Sequence, residues 1–262
     1  MKYIATISGG KDSVTMVDLL LKNDYPVDYI VFNDTKLEFK MMYDYIDKLN
    51  EYFKNRYNKE IIKTEPDIEF KDLILRDRTR GERKGKTKGF LSPEMPFCDF
   101  RKYSKINPLQ KWLKKNNIKD YILYIGFTKD EIARADNFRK NNPNTIFPLI
   151  EYFNMSELDC KKYLIEQEME NPLYRYFSRT GCKFCHYQSE QDWYHIWKYF
   201  NKDWQELKEL EKKVMRSNAD NKYIFSNFKN TDDMEKLFIQ KEKQGSLFDF
   251  SDEPIKDCFC KI

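Results

Sequence analysis

Residues Tyr3 to Lys22 read YIATISGGKDSVTMVDLLLK, and this stretch decides the fold. Tyr3 to Ile7 is a short run of apolar and β-branched residues, as in a strand buried on both faces. From Asp12 the apolar residues fall at 14, 16, 17, 19, 20 and 21, which is a helical pattern. Between the two lies Ser8-Gly9-Gly10-Lys11-Asp12-Ser13. A strand that passes so abruptly into a helix leaves the amides of Gly10 to Ser13 ahead of the first helical hydrogen bond. Those amides and the helix dipole make an anion site. Gly9 and Gly10 let the backbone turn sharply and come close to a ligand. Ser8 and Ser13 add hydroxyl donors, and Lys11 adds a cation. Asp12, an acid beside a phosphate site, suits a Mg²⁺ ligand. The string is neither G-x-x-x-x-G-K-[ST] nor G-x-G-x-x-G, so it is a different phosphate loop.

Outward from the loop, strand-like runs alternate with helical patterns. The strands are expected at Tyr3–Ile7, Tyr29–Asn33, Glu60–Lys63, Tyr121–Ile125 and Thr145–Ile150. Helices are expected at 12–22, 39–56 and 104–116, and from Ser156, whose Ser156-Glu157-Leu158-Asp159 string reads as a capping box. This alternation predicts an α/β fold: an open, mostly parallel twisted sheet with helices on both faces, plus a helical C-terminal region. The expected division is a nucleotide-binding domain over 1–180, a helical region over 181–243 opening with a CxxC turn, and a flexible tail over 244–262. Residues 66–103 are charged and carry Gly81, Gly85, Gly89, Pro93 and Pro96, and read as a long basic loop or lid.

The 262 residues carry 47 Lys and Arg against 43 Asp and Glu, a net charge of +4. Hydrophobic residues make up 40%, with 18 Tyr and 20 Phe, enough to fill a core. The N-terminus has no apolar run long enough for a leader, and no stretch of about 18 apolar residues could cross a membrane. The expectation is a cytoplasmic chain without a membrane partner, whose 6 cysteines are thiols or metal ligands rather than disulfides.

The string SGGKDS resembles the pyrophosphate loop of the ATP pyrophosphatase superfamily, and in particular its sulfur branch. That branch holds the PAPS and APS reductases, the small subunit of ATP sulfurylase and the DNA phosphorothioation sulfurtransferase. Further segments are similar in order. Val31-Phe32-Asn33-Asp34-Thr35 with Glu38-Phe39 and Met42-Tyr43 resembles the sulfurylase segment after strand two. Cys98, Arg101, Lys102, Pro108 and Leu109 resemble the C..RK…PL segment of the reductases. Gly126, Arg134 and Phe147-Pro148-Leu149-Ile150 are similar to later segments. The resemblance covers roughly residues 1 to 190. It implies adenine near Phe32, Asp34 and Thr35, and ribose and α-phosphate near Gly126. It also implies ATP with Mg²⁺ and a catalytic set of Lys11, which would stabilise charge, Asp12, which would hold Mg²⁺, and Arg134.

Cys182-Lys183-Phe184-Cys185 can grip a metal with two thiolates. In the resembling reductases that carry a cluster, a Cys pair about 80 residues upstream completes a [4Fe-4S] site. Here Cys98 stands 84 residues before Cys182, but its neighbour is Phe97. The resemblance therefore implies Cys98, Cys182 and Cys185 as ligands. A fourth would come from His186, Cys160, Cys258 or Cys260, and zinc is the alternative metal. Cys160 also reads as a core residue of its helix.

Two features suggest nucleic acid. Residues 76–88 (RDRTRGERKGKTK) hold seven Lys or Arg against two acids, a candidate phosphate contact. Gln244-Gly245-Ser246-Leu247-Phe248 looks like the short peptide by which bacterial proteins dock on the sliding clamp. Because the loop is intact, the expected reaction is cleavage of ATP between the α- and β-phosphates, in sulfur metabolism or sulfur modification of nucleic acid. The alternatives are a thiol-dependent sulfonucleotide reductase using Cys258 or Cys260, and a non-catalytic nucleotide-binding accessory protein docked on the clamp.

Overall fold

In the computed structural model the described residues are 1–91, 98–225 and 227–244. Gly245 to Phe248, Cys258 and Cys260 lie outside them. The elements in chain order begin with β1 (Lys2–Ile7), α1 (Lys11–Lys22), β2 (Tyr29–Asn33), α2 (Lys40–Tyr57), β3 (Ile61–Thr64) and α3 (Phe70–Leu75). After α4 (Asp99–Arg101) and a π turn over Lys102–Ile106 come α5 (Asn107–Lys115), β4 (Tyr121–Tyr124), α6 (Ile132–Asn141) and β5 (Thr145–Ile146). The chain then runs through α7 (Pro148–Glu151), α8 (Glu157–Glu166), α9 (Glu190–Tyr199), α10 (Asn201–Arg216) and α11 (Thr231–Lys243). No helix among the described residues is long and apolar enough to cross a membrane.

Two compact units result. The first comprises Met1–Asp67 and Tyr103–Thr180, and the second the described residues of 68–102 and 181–244.

The first unit is built on one five-stranded sheet of order β3-β2-β1-β4-β5, with every pairing parallel. The apolar strands make this arrangement stable only if both faces are covered. On one face, Leu109 and Leu113 of α5 and Ala135 of α6 pack with Ile4, Val31, Leu123 and Ile125. On the other side α1 packs on β1, α7 and α8. The expected strand Thr145–Ile150 is strand for two residues only. Pro148 lacks the N–H for a further ladder bond and instead takes the first turn of α7, where that N–H is not needed.

Strand order reverses between β1 and β4, since β2 and β3 lie on one side of β1, and β4 and β5 on the other. A parallel sheet opens a crevice at that point, beyond the carboxyl ends of its strands. The loop after β1 and Gly126 after β4 both lie there.

Helix α1, which carries the loop, is tied to its neighbours through a buried charge. The Asp18 carboxylate accepts hydrogen bonds from Tyr52 (3.0 Å) and Tyr57 (3.1 Å) of α2 and from Tyr163 of α8. Asp18 is 1% exposed, and three phenol donors offset the cost of removing an ionised carboxylate from water. Burial and the adjoining Asp18 charge push the Tyr163 phenol up. Thr15 Oγ1 also donates to the Cys160 carbonyl of α8 at 3.3 Å.

The second unit is mostly helical. Trp193, Trp204, Phe225 and Phe238 stack edge to face and tilted in its core. Trp204 Nε1 donates to Glu235 at 2.6 Å, which joins α10 to α11.

Helix α8 begins at the expected capping box. Ser156 accepts from the Asp159 amide (3.1 Å), and the Asp159 carboxylate accepts from the Ser156 amide (2.9 Å). The Ser156 hydrogen bonds hold the exposed Asp159 carboxyl down at about 2. Ser156→Ala is expected to lower stability by about 1 kcal/mol in urea unfolding at pH 7. The carboxyl is depressed in the folded state, so its contribution is complete above the unfolded value near 3.8 and is lost as pH falls toward about 2. The gap between Ser156→Ala and the parent should therefore narrow across that window.

Candidate functional site

The site begins with a backbone constraint. Ser8 leaves the central strand, and α1 starts at Lys11, so two residues must reverse the chain. Gly9 does so at φ +77°, a conformation that favours glycine. Its carbonyl accepts a 2.8 Å hydrogen bond from Asn171 Nδ2, which is buried. Gly10 is the N-cap of α1, and Val14 N–H is the first to bond back, to the Gly10 carbonyl at 3.1 Å. The amides of Lys11, Asp12 and Ser13 thus precede the helical ladder.

Hydroxyl groups surround this turn. A Cβ on Gly10 would lie 3.0 Å from Thr180 Oγ1, 3.5 Å from Ser8 Oγ and 3.7 Å from Tyr174 Oη. The Ser8 amide donates to Ser13 Oγ at 3.0 Å, and Ser13 Oγ donates to the Gly10 carbonyl at 2.9 Å. The Lys11 amide donates to Tyr174 Oη at 2.9 Å. A phenol oxygen thus stands on one of the loop amides. An anion approaching the loop meets neutral oxygens that can turn and donate. The loop residues fit a phosphate group by this donor set, with hydroxyl oxygens closing in on Gly10.

Lys11 lies over the Tyr174 ring, with Nζ 5.1 Å from its centroid, and forms an ion pair with Glu157 at the start of α8. Burial alone would lower its pKa. The Tyr174 ring, the Glu157 hydrogen bond and Asp12 outweigh that and hold it above the ordinary value. The cation is therefore permanent, and is parked on a carboxylate that phosphate could replace. Beside it is a cleft of about 110 Å³ lined by Lys11, Lys161, Glu170 and Tyr174. Asp12 is buried in the first turn of α1.

Gly126 comes up against the same turn from β4. A Cβ there would sit 2.9 Å from both the nitrogen and Cα of Ser13. Any side chain at 126 pushes on backbone, so the glycine is what lets β4 and the start of α1 converge.

Phe32, Asp34 and Thr35 lie at the carboxyl end of β2, the neighbour of β1. Asp34 is buried and accepts from Tyr43 Oη (2.9 Å), the Lys36 amide (2.8 Å) and Lys36 Nζ (2.9 Å). Burial, then the Asp34 charge, pushes the Tyr43 phenol up. Thr35 Oγ1 donates to Glu38 at 2.8 Å. Thr6, Ser8, Phe32, Asn33, Glu38 and Lys105 line a recess of about 10 Å³ at this edge. That is room for one water, so a purine entering here must move side chains. Arg134 is held by Glu131 at 2.7 Å and lies over the Phe127 ring, 4.7 Å from its centroid.

The cysteines are arranged differently from the loop residues. Cys182 and Cys185 flank a turn closed by Cys185 N–H to the Cys182 carbonyl at 3.1 Å, and both are partly exposed. His186 follows, buried against Tyr187. Cys98 is the N-cap of α4, and Cys160 is buried in α8. Among the described residues no group of three His, Cys, Asp or Glu side chains is placed to hold a metal ion. Cys98, Cys182 and Cys185 all belong to the second unit.

Asn171 and Tyr174 were not legible as site residues. They lie more than 160 positions from the loop they hold. The one local signal is Asn171-Pro172, which favours turn initiation and does cap the short 3₁₀ helix Pro172–Arg175.

A family profile described as the phosphoadenosine phosphosulfate reductase domain matches residues 2–188. An uncharacterized protein of Methanocaldococcus jannaschii is 28% identical over 191 residues, 70% of this chain and 35% of that protein. The chain thus spans about a third of the length of that relative. Among solved structures, a phosphoadenylyl-sulfate (PAPS) reductase from Candida auris in complex with phosphate aligns with TM-score 0.44 and 18% identity, covering 70% of this chain and 81% of that one. The U34-tRNA thiolase NcsA from Methanococcus maripaludis, with its [4Fe-4S] cluster, aligns with TM-score 0.42 and 14% identity, covering 90% and 80%.

If the Tyr174 hydroxyl competes with phosphate for the Lys11 amide, Tyr174→Phe should bind pyrophosphate more tightly, by up to roughly tenfold for one neutral hydrogen bond. Calorimetric titration reads this directly, and weaker binding would instead make Tyr174 a ligand contact. Gly126→Val should abolish pyrophosphate binding while circular dichroism still reports the helices.

Proposed function

Because the chain belongs to the phosphoadenosine phosphosulfate reductase domain family, we propose that its Ser8–Ser13 loop binds ATP and promotes cleavage between the α- and β-phosphates. The observation that carries this reading is the loop itself: Lys11, three amides ahead of the first helical bond and a ring of hydroxyls around a side-chain-free Gly10. That set lies at the topological switch point of the sheet, which supports a site for linked phosphates.

In the proposed reaction an acceptor oxygen attacks the α-phosphorus. The bond from that phosphorus to the bridging oxygen breaks, pyrophosphate leaves, and the acceptor becomes adenylated and thus activated for sulfur. The acceptor's proton passes to solvent. Charge grows on the leaving pyrophosphate, and donors fixed in advance along its path lower the barrier most. Lys11 would move from Glu157 to that charge, and the amides of Lys11 to Ser13 would hold the β-phosphate. Asp12 would supply one carboxylate to Mg²⁺, which commonly completes its shell from phosphates and water. Asp34, Thr35 and Phe32 would receive the adenine side, and Gly126 would leave room for the ribose and α-phosphate. Arg134 would add positive charge once Glu131 releases it.

Lys11→Ala is expected to lower pyrophosphate release from ATP by roughly 10²–10³-fold, the cost of losing one charge-stabilising donor. Labelled ATP with product separation checks it, and retention of full release by the variant would remove Lys11 from the chemistry. The same preparation offered PAPS or APS tests the reductase reading: sulfite formation that depends on Cys258 or Cys260 would replace the present proposal. Tight ATP binding with neither product would leave an accessory protein.

A further inference from the structure

The net charge of the chain is concentrated in one small structure. Residues 76–88 contain seven of the 47 basic residues and two of the 43 acidic ones, which leaves 40 and 41 in the rest of the chain. The remainder is balanced, and the positive excess lies in thirteen residues.

Those residues form a two-stranded ribbon in the second unit. Asp77 and Thr87 are paired in an antiparallel bridge. Arg78 N–H donates to the Lys86 carbonyl (2.9 Å) and Lys88 N–H to the Arg76 carbonyl (3.0 Å). Arg76 therefore stands opposite Lys88, and Arg78 opposite Lys86. Like charges placed directly across a ribbon are destabilising on their own. Around the tip, Gly81 (φ +77°) and Gly85 (φ +82°) have nothing within 4 Å of a Cβ position, so the turn projects into open space.

The base of the ribbon is fixed. The Thr87 amide and hydroxyl both donate to Asn218 Oδ1, at 2.8 and 2.9 Å. Gly89 lies so close to the Asn221 carbonyl that a Cβ would fall 2.1 Å from it. Lys88 is buried and paired with Asp99 at 2.6 Å. One carboxylate, Asp220, serves both Lys86 (2.6 Å) and Arg83 (3.3 Å). Arg80 and Lys84, both exposed, form no ion pair among the described residues.

We propose that this ribbon is a docking surface for duplex DNA, gripping its phosphate backbone along the major groove. A phosphate backbone would supply counter-charge to the exposed Arg80 and Lys84 at the tip. A two-stranded ribbon is an element that the B-form major groove admits, whereas the deep, narrow groove of A-form RNA does not. Residues 76–88 include no apolar and no aromatic side chain. A lipid surface would call for apolar residues beside the cations, and single-stranded bases would call for aromatic rings. The contact is electrostatic and independent of base sequence. It stands apart from the nucleotide reading of the loop, and neither requires the other.

The test is fluorescence anisotropy of the full chain with a labelled 20-base-pair DNA duplex, from 50 to 300 mM salt. Binding should weaken linearly in a log–log plot. Arg80→Ser/Lys84→Ser should lower the steepness by about 1.8, since each lost phosphate contact accounts for about 0.9 in duplex DNA. These side chains form no ion pair among the described residues, so the variant is expected to keep its structure, which circular dichroism checks. Lys114→Ser/Lys115→Ser removes the same charge from exposed positions on α5 and should leave the slope unchanged. The proposal is overturned by no binding at 50 mM salt, by an equal loss in the α5 variant, or by tighter binding to an RNA hairpin or to anionic lipid vesicles than to the duplex.

Discussion

The structure of the first unit turns on the carbonyl of Gly9. Where β1 ends, the chain must enter a helix within two residues, and only a left-handed residue makes that bend. A left-handed glycine aims its carbonyl away from both the strand ladder and the helix, so it needs a partner from elsewhere. Asn171 supplies it, from a segment far along the chain. Once this oxygen is satisfied, Gly10 can cap α1 and the amides that follow are presented together. Gly126 then completes the turn from the β4 side by what it lacks. The arrangement of this turn depends on backbone geometry before it depends on any charged group.

Helix α1 could not hold that geometry if it rotated. Asp18, one turn and a half beyond the loop, prevents this by collecting three tyrosine hydroxyls from α2 and α8. A buried carboxylate is costly without donors and directional with them. The polar cluster fixes the angle of the helix more sharply than the surrounding aliphatic packing of Val14, Val17 and Leu20 would.

Much of this was legible in the sequence because it is local. Continuous apolar runs mark strands covered on both faces, and SGGKDS lies where a strand run meets a helical one. The Ser156 box marks the start of α8 for the same reason. The run Thr145–Ile150 misled because apolar character does not distinguish a strand from a buried turn of helix, and Pro148 decided it. What stayed hidden is long-range. Nothing near Tyr174 announces that its hydroxyl caps the Lys11 amide. Nothing in 68–102 announces that it folds with residues after 180, through pairs such as Thr87 with Asn218. Cys98 stands far from Cys182 and Cys185 in the chain, and only the fold brings all three into the second unit.

The pairing of Lys11 with Glu157 joins two elements that the sequence keeps apart. Glu157 is the first residue of α8, immediately after its cap at Ser156. First turns are where helices fray, opening at far lower free energy than the whole fold. An opening there would draw the carboxylate away from Lys11 and leave its ammonium with the Tyr174 ring alone of these two contacts. A change at the capped start of α8 would therefore be felt at Lys11, in the turn after the central strand.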